Sequence, residues 1–204
     1  GCLKNFPGMG TITTDPHKEL SIATDKNVLA PFETLIKDGI AAIMVGHALT
    51  PHLTTDNAPA SMSPAIVAGL LRNKFCFDGL ILSDALDMGA ITKCYTPVEA
   101  ALGALQAGCD LLISPQASKA CITAITNAVD QGIISTQTLD NHVLRILRFK
   151  EQHCSKPRQR FIAPDLATQL VLLPALQTIN SDLYAAAITV LNNEHATIPL
   201  PTNE

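Results

Sequence analysis

An α/β fold with a parallel sheet is predicted by two features of this sequence. Short unbroken apolar runs, such as Ile40 to Val45 and Leu80-Ile81-Leu82 after Gly79, read as strands buried on both faces, the habit of parallel sheets covered by helices. These runs alternate one for one with segments in which apolar residues recur at helical spacing, and strict alternation argues a parallel α/β sheet. Four strands are expected in this way, half the number that closes an α/β barrel of the TIM type.

Taken in order, Cys2 to Phe6 is the first strand, stopped by Pro7-Gly8 and followed by a polar loop through His17. A helix is expected over Asp25 to Lys37, with Val28, Leu29, Phe32, Leu35 and Ile36 at helical spacing and Gly39 as its stop. Ile40 to Val45 is the second strand, closed by Gly46-His47. Ser63-Pro64 reads as an N-cap with proline in the first helical position, opening a helix to about Lys74. Asp78-Gly79 turns the chain into the third strand, which ends at Asp84. Thr96-Pro97-Val98-Glu99 forms a capping box for a helix that ends near Gly108. Asp110 to Ser114 is the fourth strand, and helices follow over Ser118 to Gln131 and, capped by Ser135, over Thr136 to Gln152. From His153 to Arg160 the composition turns charged and polar, as linkers do. The barrel portion is therefore drawn at 1–152. Residues 153–204 are expected to be a linker and helical segment leading toward a second α/β domain, with one last helix over about Pro164 to Leu176, or broken near Pro174, ahead of Ser181 to Ala187.

Composition bounds the function. With 204 residues the chain has the length of one domain or slightly more, and a formal charge of −4 supplies no basic stripe for nucleic acid. No apolar run reaches the roughly 18 residues needed to span a bilayer. The six cysteines, Cys2, Cys76, Cys94, Cys109, Cys121 and Cys154, include no C-x-x-C pair, so neither a zinc site nor a thioredoxin-type centre is expected. Several lie in apolar segments, as small buried hydrophobes do, which favours a reducing, cytoplasmic compartment. The chain begins with Gly1 and reads from its second residue like the interior of a fold, so an N-terminal truncation is expected.

Two places carry chemistry. Asp84 closes an apolar strand, at the end where α/β proteins place ligands, or else it caps the next helix. Asp15-Pro16-His17 sets a carboxylate two residues from an imidazole on the loop after the first strand. It reads either as a proton-transfer dyad, in which the carboxylate fixes the tautomer of the histidine, or as an Asx-turn with an exposed histidine. Lys4 also ends a strand, which leaves Schiff-base chemistry open as a lesser alternative. His142, His153 and His195 are expected to be solvated, and Asp87 is expected in the first turn of the helix after the third strand.

In order and spacing, Leu3-Lys4-Asn5-Phe6-Pro7-Gly8-Met9-Gly10, Asp15-Pro16-His17 and Ser83-Asp84-Ala85-Leu86-Asp87-Met88 resemble the glycoside hydrolase family 3 β-N-acetylglucosaminidases of the NagZ type. Met44-Val45-Gly46-His47, Ser63-Pro64, Leu70-Leu71-Arg72, the run Ala107 to Leu112 and Arg145-Ile146-Leu147 extend the likeness over most of residues 3 to 150. The resemblance implies the second half of an eight-stranded α/β barrel. It implies Asp84 as the nucleophile, His17 as the acid/base and Asp15 as its dyad partner. Lys4, Asn5 and His47 fall to substrate binding, with an equal case that His47 supports the site from behind. The usual Lys-His of the family stands here as Lys4-Asn5, and the usual Gly-His-Gly as Gly8-Met9-Gly10. The implied reaction removes terminal β-linked N-acetylglucosamine with retention, from an amino-sugar oligosaccharide or muropeptide, without metal or cofactor. Phosphorolysis, a β-glucosidase activity, or a catalytically incomplete fragment that needs the other half-barrel are the alternatives it leaves.

Overall fold

The computed structural model describes residues 1–10, 12, 14–25, 28–154 and 173–188. Its contacts divide the chain into two units, 1–156 and 157–204. In the first unit the strands are β1 (Cys2–Phe6), β2 (Ser21–Ile22), β3 (Ala42–Val45), β4 (Ala48–Leu49), β5 (Leu80–Ala85) and β6 (Leu111–Ile113). The helices are α1 (Ala30–Lys37), α2 (Gly89–Thr92), α3 (Pro97–Ala107), α4 (Ser118–Asp130) and α5 (Thr136–Cys154), with a 3₁₀ turn at Ala60–Met62 and a π-helix over Ala65–Lys74. The second unit is described only at its helix Pro174–Ala187, which buries none of its side chains; the expected helix from Pro164 lies largely outside the described residues.

Four strands pair in the order β1-β3-β5-β6, all parallel, in the registers Cys2↔Ala42, Ala42↔Leu80 and Leu82↔Leu111. Parallel neighbours joined by helices are the arrangement of consecutive units of an α/β barrel. All four strands therefore present their carboxyl ends, Phe6, Val45, Ala85 and Ile113, on the same side. A second parallel pair, β2 with β4, lies beyond the ends of β1 and β3 in the chain. Two residues per strand are too few for a hydrophobic period, and the sequence did not announce it.

The core shows why these runs became strands. Ile43, Val45 and Ile81 are fully buried and pack in one cluster with Ile66, Val67 and Leu71 of the π-helix, Phe32 of α1 and Ala100 and Ala104 of α3. Each such aliphatic side chain contributes roughly 1.5–3 kcal/mol on burial. Phe6, at the end of β1, meets Phe32 edge-on at 5.1 Å and Phe75 at 6.3 Å, which fixes the strand against its covering helices.

Helix ends follow the local chemistry. Thr96 and Glu99 form the expected reciprocal capping box, and Gly108 closes α3 with φ 115°, a left-handed conformation that glycine takes without strain. Ser135 accepts the Thr138 N–H at 3.0 Å. α1 begins at Ala30 rather than at Asp25, with Pro31 in its first turn, where a missing N–H is harmless. The segment after Ser63-Pro64 is wound as a π-helix instead of an α-helix, although Ser63 Oγ does accept the Ile66 N–H at its start.

Near the amino ends of β5 and β6 sits a buried charge cluster. Asp110 Oδ2 accepts from Arg72 Nη2 at 2.6 Å and from the Ile81 N–H at 2.9 Å; Oδ1 accepts from His142 Nδ1 at 2.8 Å and Arg145 Nε at 2.7 Å. Arg72 Nη1 also donates to the Phe77 and Gly79 carbonyls. His142 is thus 4% exposed and not solvated as expected, because Asp110 gives its ring a buried partner. Burial alone would raise the Asp110 pKa, but the His142 hydrogen bond, the Arg72 charge, the Ile81 N–H and the Arg145 hydrogen bond outweigh it, and the carboxyl sits below the usual range.

Candidate active site

The carboxyl ends of the strands collect the chemistry. Asp84 is the penultimate residue of β5 and is partly buried. The end of β5 is tied to β6, since the Ile113 N–H donates to Ser83 Oγ at 3.1 Å and the Leu86 N–H to the Ile113 carbonyl at 2.9 Å. Asp84 does not cap the next helix: α2 starts at Gly89, and Met88 is its N-cap residue. Asp87 consequently lies ahead of the first helical turn, exposed, and not within it.

Both Asp84 oxygens are engaged. Oδ1 accepts the Ala85 N–H at 2.9 Å, and Oδ2 accepts Asn5 Nδ2–H at 2.5 Å, across 79 residues of sequence. Asn5 was expected to bind sugar hydroxyls; the structure sets its amide on the carboxylate, which leaves the amide oxygen as its remaining acceptor. Lys4 is exposed beside it and, with Asn5, Gly8, Met9 and Gly10, lines an open groove of about 430 Å³. Met9 and Asn5 both crowd the end of β3 at Gly46, where a Cβ would lie 3.0 Å from Met9 Sδ and 3.1 Å from Asn5 Cβ.

Asp15 and His17 do meet. Asp15 Oδ1 accepts His17 Nδ1–H at 2.8 Å and also the His17 backbone N–H at 2.9 Å. The Asx-turn contact and the carboxylate–imidazole contact, set against each other in the sequence reading, occur together, and the turn is what brings the ring to the carboxylate. A carboxylate only accepts here, so Nδ1 carries a proton and Nε2 is left for other partners. The His17 side chain is 77% exposed. The His17 N–H first, and then its ring, hold the Asp15 carboxyl below the usual range.

His47 is 0% exposed, with Nε2 2.9 Å from the Ala85 carbonyl and Nδ1 2.7 Å from Ser61 Oγ. The carbonyl can only accept, which assigns the proton to Nε2 and lets Nδ1 accept from Ser61. With both nitrogens occupied and no exposed surface, His47 supports the backbone next to Asp84 and does not present itself to a ligand. Its pKa is lowered, chiefly by burial, against the opposing pull of the Ala85 carbonyl and the Asp84 charge.

The sequence model described as Glycosyl hydrolase family 3 N terminal domain matches residues 1–149. The chain belongs to glycosyl hydrolase family 3. Among curated relatives of this family 3 chain is a beta-hexosaminidase of Chromobacterium violaceum, 35% identical over 133 residues, a match that covers 61% of this chain and 37% of the relative. A beta-hexosaminidase A of Pseudoalteromonas piscicida is 27% identical over 227 residues, covering 98% of this chain and 37% of the relative. The chain thus spans little more than a third of these relatives. Among solved structures, a glycoside hydrolase family 3 beta-N-acetylglucosaminidase from Paenibacillus sp. str. FPU-7 aligns with TM-score 0.74 at 32% identity, over 80% of this chain and 33% of its own. A beta-glucoside phosphorylase aligns with TM-score 0.81 at 25% identity, over 98% of this chain and 38% of its own. The four β/α units are a partial family 3 barrel.

Sequence reasoning missed the Asp110 cluster and the Asn5–Asp84 contact. The signal for the first was present: Arg72, Asp110 and Arg145 each stand in one of the short motifs that carried the family likeness, and the structure shows that these motifs share one buried site.

Proposed function

We propose that this family 3 chain carries the nucleophile and acid/base half of a retaining β-N-acetylhexosaminidase site. The carrying observation is that Asp84, held by Asn5 at a strand's carboxyl end, and the Asp15–His17 dyad share one side of the sheet. In this reading an Asp84 oxygen attacks the anomeric carbon as the glycosidic bond breaks. The departing oxygen takes the proton from His17 Nε2, and a glycosyl-aspartate ester results. His17 Nε2 then takes a proton from water as that water attacks the same carbon, which frees Asp84 and releases the sugar with retained configuration. Imidazole nitrogen can both give and take a proton, so one group serves both steps, and the Asp15 contact keeps Nε2 facing outward. Lys4, exposed in the groove, and the free amide oxygen of Asn5 meet sugar hydroxyls. The beta-hexosaminidase relatives and the beta-N-acetylglucosaminidase structure support an N-acetylglucosamine-containing substrate; cell-wall fragments met in the cytoplasm are the source this proposal assigns to it.

The test is release of nitrophenol from nitrophenyl β-N-acetylglucosaminide by this chain joined to a complete first half-barrel from a relative, with Asp84→Asn in parallel. Activity lost by roughly 10³-fold or more in the variant, the scale on which removing a covalent nucleophile is felt, supports the assignment. A folded chimera whose activity survives the substitution refutes it. The phosphorylase among the structural neighbours favours a second reading, in which phosphate replaces water in the second step. A sugar 1-phosphate formed only when phosphate is added would decide for it.

A further inference from the structure

The loop that carries His17 is tied by its backbone to the segment that follows Asp84. The Gly89 N–H donates to the His17 carbonyl at 3.0 Å, and the Ala90 N–H to the Pro16 carbonyl at 3.1 Å. No side chain fits between the two segments. A Cβ at Gly89 would lie 2.4 Å from the Lys18 carbonyl oxygen and 2.6 Å from that of His17. Both neighbours are backbone, so neither can yield by turning a side chain.

We propose that Gly89 is a positioning residue for His17. Its bare Cα lets the two segments meet backbone to backbone, and the paired hydrogen bonds hold the imidazole loop beside the exit of the strand that bears Asp84. This rests on the reading of His17 as acid/base. Restoring an ordinary contact of about 3.4 Å at residue 89 would push the loop off by about 1 Å. A 1 Å displacement of a catalytic group can cost roughly 10²-fold in rate. That cost falls only on steps that use the proton.

Two measurements test it. Hydrogen exchange on the ¹⁵N-labelled 204-residue chain should show the Gly89 and Ala90 amides protected by roughly 10-fold or more over free amides. In Gly89→Ala that protection should vanish at Ala90 while the amides of β5 stay protected. In the control Gly69→Ala, whose added Cβ meets only the Pro64 carbonyl at 3.6 Å, it should remain. Free exchange of Ala90 in the unaltered chain, or protection retained in Gly89→Ala, overturns the proposal. In the joined enzyme, Gly89→Ala should lower kcat/KM roughly 10²-fold for an alkyl glycoside, whose aglycone needs the proton, and spare a dinitrophenyl glycoside, whose aglycone does not. Equal losses on both would mark a merely structural defect and overturn it. The exchange result holds whether or not the enzyme turns over, so an inactive chimera with Gly89-dependent protection would count against the hydrolase reading and for the docking.

Discussion

Replacing Asp110 by asparagine should destabilise the first unit severely although no volume changes. The carboxylate side chain is fully buried and each of its oxygens receives two donors: Arg72 and the Ile81 N–H on Oδ2, His142 and Arg145 on Oδ1. An amide has one NH₂ group, and either orientation would turn it toward two donors. The same change removes the carboxylate that pairs with both Arg72 and Arg145, whose side chains are themselves 17% and 22% exposed. Breaking a buried ion pair from one side costs about 3–5 kcal/mol, a large share of the 5–15 kcal/mol typical of a folded domain. At roughly 2–4 °C per kcal/mol for a chain of this size, Tm should fall by about 6–20 °C. Melting by circular dichroism and urea titration at pH 7 measure it. The pH dependence adds a signature. The folded pKa of Asp110 lies below its unfolded value, so its contribution is complete above about pH 4 and is lost as pH falls through the folded pKa. The gap between the two proteins should therefore hold from neutral pH down to about pH 4 and close on further acidification. A loss below about 1 kcal/mol, or a gap that does not close in acid, would refute this account.

Two further substitutions probe the other end of the sheet. His47 has its folded pKa lowered, so its contribution is present above the unfolded value of about 6.5 and is lost as pH falls through the folded pKa. His47→Gln should remove that part of the acid sensitivity, and urea midpoints with the same slope against pH in both proteins would place the sensitivity elsewhere. Asp15→Asn keeps the turn but weakens the hold on the His17 ring, and should lower kcat/KM of the joined enzyme roughly 10²-fold, within the range of general acid–base catalysis. Unchanged turnover would remove Asp15 from the mechanism.

What was legible in the sequence was what is local. An apolar run that stops at Asp84, a cap box at Thr96 and Glu99, and a carboxylate two residues from His17 are each complete within a few positions, and the structure forms all of them. What was not read joins distant positions. Asn5 reaches Asp84 across 79 residues, and Asp110 gathers partners 38, 32 and 35 residues away. No periodicity records such a meeting. His142 illustrates the limit: its helix is mostly exposed, and only the carboxylate on another element makes it a buried residue. The π winding of Ala65–Lys74 was likewise hidden, because the apolar spacing and the Ser63 cap serve an α-helix equally well.

β5 is a strand with two occupations. Ile81, near its start, exchanges hydrogen bonds with Asp110, while Asp84 stands three residues further on, about 10 Å along an extended backbone. Rigidity is therefore anchored at one end of the beam and chemistry displayed at the other. Loops leaving the display end can be rewritten, in a laboratory library or by descent, with little debt to foldability, since the clamp that keeps the beam in place is out of their reach. A mutational scan scored once for folded protein and once for turnover should separate along the length of this strand, the first signal concentrated at its start and the second at its finish.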